Sequence, residues 1–103
     1  MAAYAASVTS EMKRAERITQ NLGIFVGTVD ISNYNSTLVE IEDITGKFKE
    51  VLAVFCSDVE SAVNRGFWIA ASGAIKLVVA STGSELADDQ DAGEVDFVAI
   101  GFI

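Results

Sequence analysis

Apolar positions in this chain fall in short β-rich runs separated by Gly, Ser and Asn, and two of these runs alternate with a period of two. In Phe25-Val26-Gly27-Thr28-Val29-Asp30-Ile31, Val29 and Ile31 fall on one face and Thr28 and Asp30 on the other. That alternation marks a half-buried strand. Ser32-Asn33-Tyr34-Asn35-Ser36 follows, and its Asn and Ser side chains predict a turn bonded to local backbone. Thr37 to Ile44 alternates again, with Val39 and Ile41 inward and Glu40 and Glu42 outward, and Gly46 ends the unit. The longer apolar run from Phe48 to Cys56 is rich in β-branched and aromatic residues. It predicts a strand buried on both faces, with Ser57 to Arg65 looping over one end.

The stretch from Gly66 to Ile103 organises the rest. Two β-rich runs, Gly66 to Ala71 and Ala74 to Ala80, meet at Ser72-Gly73, a dipeptide that permits the positive φ of a tight hairpin. Phe67 and Trp68 must point to opposite faces of their strand, so only one of them enters the interior. After a polar loop, Val95 to Ile103 forms a third run that carries Phe97, Phe102 and Ile103. An end this apolar is expected to pair inside a sheet or against a neighbour. Phe67, Trp68, Phe97, Phe102 and Ile103 are therefore the candidate core and interface residues.

Residues 1–21 read differently. Met1 to Ser10 is rich in Ala, Ser and Thr without apolar periodicity. From Ser10 onward, Met12, Ala15, Thr19 and Leu22 share one helical face with Ser10 as cap, or the same residues lie extended across a surface. The predicted organisation is an N-terminal arm (1–21) and a β-sandwich or jelly-roll body (22–103), all-β in class. The arm is expected to be mobile alone and to order in an assembly.

Composition narrows the chemistry. With 103 residues there is room for one modest core. Half the residues are hydrophobic and mean hydropathy is +0.36, yet no run reaches the roughly 18 apolar residues of a membrane span. The first six residues lack the regions of a signal peptide. Apolar excess of this kind suggests surface covered by another chain, and no membrane role is expected. The chain has no His, no Pro and one Cys. That excludes an internal disulfide, a Ser–His or Cys–His nucleophile pair and a Cys/His zinc site. Cys56, within Val54-Phe55-Cys56-Ser57, reads as a small buried hydrophobe.

Charge is uneven. Three cations, Lys13, Arg14 and Arg17, stand against two acids in the first twenty residues. The remaining 83 carry four cations and thirteen acids, a net −9. Phosphate would be repelled by such a body, so no nucleic-acid partner is expected, whereas the basic arm suits docking. Asp88, Asp89, Asp91 and Glu94 are oxygen donors of the kind calcium takes, but their spacing misses the EF-hand pattern, and a solvated turn is the expectation. Paired carboxylates also suit glycosidases, yet no aromatic sugar platform lies beside these. Neither enzyme activity, nor a metal, nor a cofactor is expected.

The runs Phe25 to Ile31, Gly66-Phe67-Trp68, Ser72 to Lys76, Glu85-Leu86-Ala87 and Val95 to Gly101 resemble small virion proteins of tailed bacteriophages. The likeness covers roughly Leu22 to Ile103 and is to the capsid decoration, or cement, type. The resemblance implies a compact β module on the outer shell of a virion, made in the host cytoplasm and bound to the major capsid protein at capsomer seams. It implies a homo-oligomer, with a trimer favoured, and it brings no catalytic residues. A tail, neck or fibre-attachment module, or a free β-sandwich binding domain, is the alternative.

Overall fold

The computed structural model describes residues 3–57 and 64–103. The described residues form seven strands and one short helix: β1 (Ala5–Thr9), β2 (Glu16–Thr19), β3 (Leu22–Asn33), α1 (Glu42–Thr45), β4 (Glu50–Cys56), β5 (Asn64–Ile69), β6 (Ala74–Val79) and β7 (Gly93–Phe102). β3, β7 and β4 lie side by side, and β1 and β2 both pair with the free edge of β3, giving a five-stranded sheet. β5 and β6 form a second, two-stranded sheet, and every pairing is antiparallel. The protein is an all-β, sandwich-like domain, as the period-two pattern predicts.

The last run is the middle of the larger sheet. β7 pairs with β3 from Gly93↔Ile31 to Phe102↔Leu22, and on its other side with β4. Its alternate residues Val95, Phe97 and Ala99 face inward and are buried. They meet Phe25, Val29 and Ile31 of β3 and Ile75 and Leu77 of β6 in one core. Burying each valine, isoleucine, leucine or phenylalanine side chain here stabilises the fold by about 1.5–3 kcal/mol. The Phe25 and Phe97 rings lie tilted at 5.8 Å. Gly101 completes the inward row because β4 crosses it closely, and a side chain there would meet the Glu50 carbonyl and the Phe48 ring.

Residues 3–21, expected as a separate arm, lie on the body. β1 runs antiparallel to β3 from Ala6↔Ile31 to Thr9↔Thr28, and β2 pairs with Leu22–Ile24. The extended reading of this segment therefore describes it, and the helical one does not. Tyr4 draws it inward. Its ring is 6% exposed and meets Tyr34 edge-on at 5.9 Å. Its hydroxyl donates to the Ile75 carbonyl at 3.0 Å and accepts the Ile75 N–H at 3.3 Å.

Several expectations are corrected. Thr37 to Ile44 is not a strand: it is a loop closing in α1, with Ile41 and Ile44 buried and Val39 exposed. A spacing of three between those isoleucines puts both on one side of a helical turn. β4 is not buried on both faces, since it is an edge strand with no layer outside it among the described residues. Leu52 and Phe55 are 49% and 62% exposed. Ser32 and Asn33 still belong to β3, and Tyr34 is fully buried and bridged to Gln90, so the turn falls later than predicted. The β5–β6 connection spans Ala70–Gly73, and Gly73 alone takes the left-handed φ of +63°. Of the loop predicted from Ser57 to Arg65, residues 58–63 lie outside the described residues, and Asn64 and Arg65 already belong to β5.

Candidate functional site

The outer face of the five-stranded sheet is divided along its strands. Leu22, Ile24 and Val26 of β3 stand opposite Phe102, Ile100 and Val98 of β7. On the far side of β7, Ala53 and Phe55 of β4 stand opposite Ile100 and Val98. Strand alternation puts all eight on the side away from the core. Val26, Phe55 and Phe102 are exposed. Leu22, Ile24, Val98 and Ile100 are half-buried by their neighbours in the sheet, yet are not among the residues packed on the core. Toward the other end, the same face turns acidic. Thr28 stands opposite Asp96, and Asp30 opposite Glu94, and the Thr28 hydroxyl donates to Asp96 Oδ1 at 2.8 Å.

The apolar half continues over the edge of the sheet. Leu52 projects where the β4–β7 register shifts. Beyond it a groove of about 530 Å³ separates β4 from β5, lined by Leu52–Cys56, Gly66, Phe67, Trp68 and Ala70. The two strands are not hydrogen-bonded to each other. Phe67 is 50% exposed on the outside of this seam, while Trp68, on the opposite face, is half-buried and packed on the core. At roughly 200 Å² per aromatic side chain, Phe55, Phe67 and Phe102 leave about 300 Å² in water.

The other sequence-predicted residues are scattered. Lys13 and Arg14 are exposed in the β1–β2 connection and Arg17 is exposed on β2. The Lys13 carbonyl accepts a 3.3 Å bond from Lys47 Nζ, which also sits 5.4 Å from the centre of the Phe25 ring. Phe97 is a core residue. Ile103 is half-buried, packed on the core beside Gly23, with its N–H donating to the Asn21 carbonyl. The structure thus places Phe102 and Phe67 on the exposed apolar surface and draws Phe97, Ile103 and Trp68 to the interior.

The acidic loop serves the fold. Asp88 Oδ1 accepts the Ser36 N–H at 2.8 Å and Asp91 Oδ1 the Gly93 N–H at 3.3 Å. Glu85 Oε2 accepts the Tyr34 hydroxyl at 2.6 Å, while that hydroxyl accepts the Leu77 N–H at 3.3 Å. No three carboxylate or thiol groups among the described residues converge on a metal-sized space. Burial pushes the Cys56 thiol up to about 11, which keeps it protonated and unreactive near neutrality. Burial also pushes Tyr4 up to about 12, and burial together with the Glu85 bond holds Tyr34 far above the usual tyrosine range. Sequence reasoning missed both tyrosines. A lone aromatic among Ala and Ser, as Tyr4 is, was the available signal. No family model, curated protein or solved structure matches this chain.

Proposed function

We propose that this chain is a non-enzymatic structural protein of a tailed-phage virion. It decorates the outer surface of the capsid and stabilises it by binding the major capsid protein at the seams between capsomers. The observation that carries this reading is the apolar half of the outer sheet face, from Leu22, Ile24 and Val26 across Val98, Ile100 and Phe102 to Phe55. An apolar face of a few hundred Å² matches the largest patch on a typical monomer, and such patches often serve contacts. The exposed cations Lys13, Arg14 and Arg17 give a second contact surface of opposite character. The apolar face meets the capsid protein at the seams, and the basic β1–β2 connection meets acidic ground on the shell. Repetition over a lattice then turns weak single contacts into a firm coat.

Co-sedimentation with assembled shells tests this. The unmodified chain should pellet with shells and saturate at a fixed ratio to the capsid protein. Reversing Lys13, Arg14 and Arg17 to Glu should weaken binding at least tenfold, a loss of about 1.4 kcal/mol. Failure of the unmodified chain to pellet would overturn the decoration reading, and undiminished binding by the reversed chain would overturn the docking role of the cations.

A further inference from the structure

We infer that β1, β2 and the connection between them exchange between two copies of this chain. Each copy opens at Gln20 and lays its β1 and β2 on the β3 edge of the other. This inference goes beyond the virion reading and is independent of it, because it concerns the isolated chain.

The hinge is the turn between β2 and β3. Thr19 pairs with Leu22, so Gln20 and Asn21 alone reverse the chain. Gln20 holds a positive φ of +34°. Tight hairpin turns place Gly, Asn or Asp in that region, because a longer side chain there crowds its own backbone. Straightening Gln20 removes the strain and makes β2 and β3 one continuous strand. Short connections under strain are those that favour exchange. Asn21 stays with the body, since its carbonyl accepts the Ile103 N–H at 2.8 Å. The pivot therefore falls at Gln20.

The segment beyond the hinge is loosely held. All four residues of β2 are exposed and none packs on the core, so backbone pairing alone keeps β2 in place. β1 is anchored by Tyr4, whose ring meets Tyr34 and whose hydroxyl bonds Ile75, while Ala6 and Val8 add small side chains. Each of these contacts is made again when β1 comes from the second copy, because the receiving edge is identical. Relief at two hinges then offsets the joining of two chains. Topology permits a closed pair. β1 and β2 run in the same direction along one edge of β3, both antiparallel to it. With both hinges straight, the two long strands lie antiparallel about a two-fold axis at Gln20 and Asn21. β7 flanks β3 on the side away from β1 and β2, so the two bodies sit end to end and their net charges of −8 stay apart.

Refolding the purified chain from denaturant at about 10 µM and about 1 mM, followed by analytical ultracentrifugation, tests the inference. The mass should be one chain at the low concentration and move toward two at the high one. Gln20→Gly relaxes the closed turn and should lower the fraction of pairs by roughly fivefold or more. Ser7 and Asp30 stand opposite each other on β1 and β3. In a Cys56→Ala background, Ser7→Cys chains refolded together with Asp30→Cys chains should form a disulfide between the two kinds. The same chains folded apart at low concentration and then mixed should not. A one-chain mass at both concentrations, a three-chain mass, undiminished pairing by Gln20→Gly, no disulfide between the two kinds, or one formed equally by chains folded apart would each overturn it.

Discussion

At the scale of single residues, close packing on the inner face makes the sharpest claims. Gly101 faces the Glu50 carbonyl and the Phe48 ring where β4 crosses β7, so Gly101→Ala forces backbone or ring to move. It should cost about 1–3 kcal/mol and lower the melting temperature by roughly 4–8 °C per kcal/mol. Thermal unfolding followed by circular dichroism reads this, and an unchanged midpoint would contradict the close crossing. The same measurement separates the neighbouring aromatics. Trp68→Ala should cost about 2–3 kcal/mol, less than a fully buried aromatic, while Phe67→Ala should stay within about 0.5 kcal/mol. The tyrosines give a pH signature. Tyr4 keeps its proton to about pH 12 in the fold, whereas unfolded tyrosine loses it near 10. Stability is therefore fully present below pH 10 and falls as pH rises from 10 through 12, because the unfolded chain releases protons that the folded chain holds. Tyr4→Phe should flatten that decline in chemical denaturation series at successive pH values, and an unaltered slope would show that the hydroxyl is not held protonated by the fold.

At the scale of elements, the N-terminal segment carries the largest difference between pattern and structure. β1 covers the upper edge of β3, and Tyr4 supplies two hydrogen bonds to β6 that a third strand would otherwise make. Deleting residues 1–10 should remove both and expose the edge. The loss should be about 3–5 kcal/mol, comparable to removing a buried aromatic and a large part of the stability of a small domain. A truncated chain with the full melting temperature would mean that β1 adds nothing to the sheet. Much of the body was legible from its β-rich runs. Val29 and Ile31 against Thr28 and Asp30 in β3 follow from a period of two, whereas the β5–β6 hairpin follows from β-rich runs meeting at Ser72-Gly73 and β7 from the apolar run Val95 to Ile103. Each failure has its own local cause. Alternation in Thr37 to Ile44 is short enough that a helical turn fits it equally well, and the tertiary bond from Ile41 N–H to the Gly73 carbonyl selects the turn. The run Val51 to Phe55 is apolar on both faces, and a sequence does not say whether the outer one meets a layer of its own fold or another molecule. β1 was illegible because its inward residues are Tyr4, Ala6 and Val8, and only the first is large. The exposed apolar surface was half legible: Phe102 and Phe67 belong to it, but the faces of Val98, Ile100 and Phe55 required knowing that β7 lies between β3 and β4.

At the scale of the whole molecule, two features stand together: an acidic body of net −8 and one largely apolar half-face, bordered by Glu16 and Glu50. Such a molecule resists non-specific association while keeping one surface for specific contact. The basic Lys13, Arg14 and Arg17 lie near one edge of the sheet, in β2 and the connection before it, apart from most of the apolar face. The proposal that this chain coats a capsid is tested most directly by electron cryo-microscopy of purified virions that contain it. The account predicts β-sandwich density repeated over the outer surface of the head at capsomer seams, with the β1–β2 connection turned toward the capsid protein. Density for this chain confined to the tail, neck or fibres, or its absence from the head lattice, would contradict it.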